Sequence, residues 1–145
     1  MVAGHDTSAT VLTWSVYIFV TDHVIQDHIR AEINALATNP RPTYANLESS
    51  MHYINILLKG ANRVFSSAAI TSLGPLDSDP YVFSGFSSDP RICLVKSFAW
   101  LEMKLVLVHV VPPFRFLAIE RPFEIESPSL TTRPSDTQLR FEKIE

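Results

Sequence analysis

Cys93 is the single cysteine of the chain, and it stands just ahead of a helical pattern in Phe86-Ser87-Ser88-Asp89-Pro90-Arg91-Ile92-Cys93, with Arg91 two positions back and Phe86 seven back. A helix N-terminus stabilises negative charge, so a thiolate placed there suits a metal ligand or a nucleophile. The plainer reading is a small buried thiol, and the local residues leave both open. A second candidate is Ala3-Gly4-His5-Asp6-Thr7-Ser8, where a glycine, an acid and a hydroxyl follow closely. Asp6, Thr7 or Ser8 could cap the helix they open by accepting from its free N–H groups. Asp6 and Thr7 would equally serve as an acid and alcohol pair relaying protons beside a bound cofactor.

The elements that must position these groups are helices first and strands last. Val11, Trp14, Val16, Ile18 and Phe19 make a first segment apolar nearly all round, the pattern of a helix buried on most sides, although its apolar face would be left exposed if the chain folded alone. Thr21 or Asp22 then offers an N-cap for an amphipathic helix with Ile25, Ile29, Ile33 and Leu36 on one stripe and Asp27, Arg30 and Glu32 off it. Asn39-Pro40-Arg41-Pro42 stops that helix. The spacing predicts a third helix from Thr43 through Leu47, Met51, Ile54, Leu57 and Leu58 towards Phe65. Residues 66–90 read as loop, with Gly74-Pro75, Asp79-Pro80 and Asp89-Pro90 as turn signals. After Cys93, a fourth helix carries Phe98, Leu101, Leu105 and Val108 on one face and ends at Pro112-Pro113. Alternation in Phe114-Arg115-Phe116, Phe123-Glu124-Ile125-Glu126 and Leu139-Arg140-Phe141-Glu142 predicts a small sheet around the loop from Pro128 to Ser135.

Composition narrows the classes. The 145 residues suit one domain, and 46% hydrophobic residues suffice for a core, which excludes disorder throughout. Twelve Lys and Arg against fifteen Asp and Glu give a charge of −3 without a basic cluster, which argues against nucleic acid as a partner. One cysteine cannot close an internal disulfide. No segment approaches the roughly 18 uninterrupted apolar residues of a membrane span, so no transmembrane segment is expected. The first residues have neither the basic start nor the apolar run of a secretory signal.

Together the two candidate segments resemble the C-terminal part of a haem-thiolate monooxygenase, a cytochrome P450. That family's long central helix reads Ala or Gly, Gly, any residue, Asp or Glu, Thr, then Thr or Ser, and Ala3 to Ser8 meets every position. Its cysteine loop places phenylalanine and arginine seven and two positions before the cysteine, as Phe86 and Arg91 stand here. Ala99 to Leu105 looks like the helix that begins at the family's cysteine, and the tail from Phe114 like its closing strands. The resemblance implies a mainly α fold with a small C-terminal β region, a partial cytochrome P450 fold of central distal helix, two further helices, cysteine loop, proximal helix and closing strands. Residues 1–145 would form one incomplete domain, with 1–65 helical, 66–92 loop, 93–111 proximal helix and 112–145 closing strands.

The resemblance further implies haem as cofactor, with Cys93 as the axial thiolate on iron, Arg91 paired with a propionate and Phe86 packed near the proximal face. Asp6 and Thr7 would help deliver protons on the distal side. The reaction would insert one oxygen atom into a small organic substrate, with electrons from NADPH through a partner reductase. The family's usual anchor to the endoplasmic reticulum membrane would lie upstream.

Four departures qualify this. Asp89 replaces the glycine of the cysteine loop; Val95 replaces the glycine two after the cysteine and brings a β-branched side chain where backbone would approach a porphyrin. Gly60-Ala61-Asn62-Arg63 stands where the family has glutamate and arginine three apart, which strands Arg63 if it is buried, at about 3–5 kcal/mol, with roughly 1 more for the mid-helix glycine. Arg63 and Cys93 are 30 positions apart, considerably fewer than in the family. A noncatalytic haem-binding or interaction remnant, or the product of a decayed or mispredicted gene, therefore stands beside the enzyme reading.

Overall fold

A computed structural model describes residues 2–36, 43–65, 85–86, 92–121, 123–125, 131–135 and 137–144. Among the described residues five helices are followed by one antiparallel strand pair: α1 (Val2–Thr21), α2 (His23–Leu36), α3 (Tyr44–Ser49), α4 (His52–Val64), α5 (Lys96–Val110), β1 (Phe114–Ile119) and β2 (Leu139–Lys143). The mainly helical class with a small C-terminal sheet is as expected. The loop expected over 66–90 lies almost wholly outside the described residues.

α1 supplies the central packing surface. Val11, Trp14, Ser15 and Phe19 are buried, while Leu12, Val16, Tyr17, Ile18 and Val20 are half-buried against the core. The expected exposed apolar face is thus covered, because α2, α4, α5 and β1 all pack against this one helix. Trp14 lies flat on Phe65, with ring centroids 4.0 Å apart, and its indole N–H donates to the carbonyl of Thr132 at 2.7 Å. No single described helix is long and apolar enough to cross a membrane.

α2 begins where Asp22 accepts from the N–H of Val24 at 3.0 Å and of Ile25 at 3.4 Å, so Asp22 is the cap. Thr21 belongs to α1, its hydroxyl donating back to the carbonyls of Tyr17 and Ile18. The buried face of α2 is Gln26, Ile29 and Ile33, one position round from the expected stripe where Gln26 replaces Ile25.

The single helix expected from Thr43 to Phe65 is two. Thr43 and Asn46 form a reciprocal capping box that starts α3. Ser50 closes α3, and Met51, at φ −104° and ψ 71°, leaves the helical range before α4. Leu47, Met51 and Ile54 are all buried, so the apolar spacing carries across the break and hides it. The freed N–H groups of Tyr53 and Ile54 are met by the carboxylate of Glu32, at 2.9 and 3.2 Å. A cap therefore reaches α4 from α2.

α5 presents Met103, Lys104, Leu107 and Val108 to the core, whereas Phe98 is exposed and Leu101 and Leu105 are half-buried. The expected face is rotated because a lysine sits in the buried stripe of a helix that is apolar on most sides. β1 and β2 pair with Phe116 opposite Phe141 and an irregularity between Phe116 and Ala118. Of the expected middle strand, Ile125 makes an isolated bridge to Pro134.

Candidate functional site

The cysteine segment is held at its two ends by backbone bonds. The N–H of Cys93 donates to the carbonyl of Phe86 at 2.9 Å, and the carbonyl of Cys93 accepts from the N–H of Lys96 at 3.2 Å. The first bond closes the eight-residue segment that begins at Phe86; the second turns the chain into α5, whose N-cap is Val95. Phe86 packs on Trp100 of α5, with centroids 5.4 Å apart, and the Lys96 ammonium lies 5.9 Å from the same ring. The structure thus brings Phe86 and Cys93 together at the start of α5. Arg91 and Asp89 lie outside the described residues.

Cys93 is half-buried and unpaired with any disulfide. Around it Ile92, Leu94 and Val95 are exposed, Leu94 fully at 99%. A lone soft sulfur beside apolar side chains, just before a helix N-terminus, is donor chemistry that fits the axial ligand of an iron porphyrin. Val95 keeps its isopropyl group where the sequence raised a steric objection. It is 52% exposed, so nothing in the fold requires the bulk there.

At the other candidate segment, the helix already runs from Val2, which places Asp6 and Thr7 within α1 rather than at its cap. The capping expectation fails because these residues follow the first turn, and the Ser8 hydroxyl donates backwards to the carbonyl of Gly4 at 3.2 Å, as Thr10 further along donates to that of Asp6 at 2.8 Å. Asp6 and Thr7 are half-buried, and the Asp6 carboxylate meets Nδ1 of exposed His5 at 3.2 Å. A Cβ on Gly4 would meet nothing within 4 Å, so there is room beside the helix face that Gly4 shares with Thr7 and Ser8.

Arg63 is exposed, so water replaces its missing acid and the burial penalty does not arise. Gly60 also faces open space. Asn62 of the same segment is buried, and it is pressed by Gly85, where an added Cβ would lie 2.4 Å from Nδ2. The segment that bears an ion pair in the family here holds an amide against a glycine. The sequence does not mark Asn62 as buried, because an asparagine at helical spacing gives no signal of burial.

A search against family models matches residues 1–71 to Cytochrome P450. Human Cytochrome P450 3A5 is 23% identical over 160 residues, covering 79% of this chain and 32% of that protein. Cytochrome P450 3A56 of Fundulus heteroclitus is 23% identical over 189 residues, covering 96% of this chain and 38% of that protein. The crystal structure of a cytochrome P450, CYP102L1, superposes with a TM-score of 0.80 over 99% of this chain and 43% of that one, at 19% identity. The chain is thus similar to cytochromes P450 in sequence over its first half and in fold over nearly all of its length. It spans about a third of the length of the curated relatives it matches. The match to the Fundulus P450 runs over 189 residues although this chain has 145, so that relative carries residues inside the shared span that this chain lacks. The family-model match takes in Asp6, Thr7 and Arg63 and stops short of Cys93.

Proposed function

We propose that the chain carries the ligand and distal groups of a haem-thiolate monooxygenase. The observation that bears most weight is the Cys93 to Phe86 backbone bond, which gathers the phenylalanine and the cysteine of the family's loop at the start of α5. The match of residues 1–71 to the cytochrome P450 family model and the superposition on a P450 structure support the same reading.

In this reading Cys93 supplies the thiolate, Phe86 screens the sulfur from water, and Arg91 balances a propionate. Thr7 and Asp6 hold and pass protons on the α1 side. Bound haem supplies oxygen activation: one atom enters an organic substrate and the other leaves as water, using two protons and two electrons. NADPH provides the electrons through a partner reductase, and the substrate is a small organic molecule.

The test is a carbon monoxide difference spectrum of reduced protein after loading with hemin. A thiolate-type Soret band, lost in Cys93→Ser, supports the assignment; an imidazole-type band, or one unchanged in the variant, overturns it. Substrate-dependent NADPH consumption with a reductase then separates an oxygenase from a haem-binding remnant, which takes up haem without turnover. That second reading draws on the third of the family's length that this chain spans.

A further inference from the structure

A cavity of about 240 Å³ lies where α3, α4 and α5 meet, lined by Glu48, Lys59, Trp100, Leu101 and Lys104 among others. Lys104 is the one buried lysine among the described residues; Lys59 and Lys143 are exposed and Lys96 is half-buried. Its ammonium donates to the Leu47 carbonyl at 2.8 Å. Two circumstances known to turn a lysine into a nucleophile coincide here, burial of Lys104 away from water and a second cation on the same cavity, Lys59.

We propose that Lys104 is a reactive amine that captures small carbonyl compounds entering this cavity and holds them as an imine. The lone pair of Nζ adds to the carbonyl carbon, and the displaced π pair goes to oxygen. A proton moves from nitrogen to that oxygen to give the carbinolamine. Loss of water then forms the C=N bond, with no change of oxidation state. Glu48, which lines the same cavity, takes the proton from the attacking nitrogen as a carboxylate, delivers it to the leaving hydroxyl, and so returns to its ionised form. A neutral amine retains N–H groups, so it keeps the Leu47 bond while presenting its lone pair.

Burial lowers the proton affinity of Lys104; Glu48 on α3 acts against this, and Lys59 on α4 acts with it. Tyr44 on α3 is the remaining titratable group lining the cavity. The assignment is independent of haem.

The experiment treats the whole chain with butanal and cyanoborohydride at pH 7.5 and follows each lysine by peptide mass spectrometry. Lys104 is expected to acquire the reduced adduct at least tenfold faster than Lys143, and Lys59→Gln, at an exposed position, is expected to slow Lys104 severalfold. In concentrated urea the two rates should converge. Modification of Lys104 no faster than Lys143, or a preference that survives urea, overturns the proposal. An unaltered Lys104 rate in Lys59→Gln overturns the role given to the neighbouring cation.

Discussion

The side-chain amide of Gln26 bonds the peptide of Phe116 on both sides: Oε1 accepts from the Phe116 N–H at 3.0 Å and Nε2 donates to the Phe116 carbonyl at 3.1 Å. The glutamine thereby does for β1 what a further strand would do, from a helix 90 residues earlier. Arg30 adds a bond to the Gln26 oxygen and another to the carbonyl of Phe114. Gln26→Leu strands two buried backbone groups, each worth about 1–3 kcal/mol, so urea denaturation should show a loss of about 2–6 kcal/mol. Amide exchange at Phe116 should quicken with it.

Glu32 gives a second test of long-range satisfaction. Its carboxylate holds the first N–H groups of α4, a role that the broken third helix makes necessary. Glu32→Ala should cost about 0.5–2 kcal/mol, and Glu32→Gln, which keeps an acceptor, should cost less. Exchange of the Tyr53 and Ile54 amides, compared with those late in α4, localises the effect.

Lys104 predicts a pH dependence. Its affinity for protons is lowered in the folded state, chiefly by burial, from the ordinary lysine value of 10.5. Between the lowered value and 10.5 the unfolded chain binds more protons than the folded one, so stability rises with pH through that window. Below the window the burial cost is present in full. Lys104→Met removes the titrating group, and its unfolding free energy should lose this rise when measured from neutral to mildly alkaline pH.

Val95 tests the steric objection to a porphyrin. Its exposed position at the N-cap of α5, where glycine is tolerated, makes Val95→Gly compatible with the fold. Hemin titration of the variant should show affinity up to about tenfold tighter, equivalent to about 1.4 kcal/mol. Equal affinity would show that the isopropyl group is no obstacle.

Helix positions were largely legible in the chain because alternating period and proline punctuation are local properties. α2 begins at the cap that Asp22 announces, and α5 ends at the proline pair. The break at Met51 is illegible because the apolar residues stay in phase across it, and what makes it tolerable is an acid twenty-one residues before Tyr53. The buried face of α5 was misread because Lys104 occupies it. Polar groups such as Gln26, Asn62 and Lys104 are buried only because backbone or side-chain partners come from distant segments, and single-sequence spacing does not report those partners. At the candidate site, the motif spacing picked out Cys93 and Phe86 as members of one loop, whereas the exposure of Arg63 followed from packing alone.

The indole of Trp14 reaches a carbonyl 118 positions further along, and Phe19 stacks on Phe116. Contacts so remote in sequence are slow to form, since the intervening segment must first be brought round. During synthesis, α1 leaves the ribosome long before Thr132 is added. The partners of this helix therefore arrive late, and until Thr132 emerges its tryptophan stays open to chaperones and to neighbouring nascent chains.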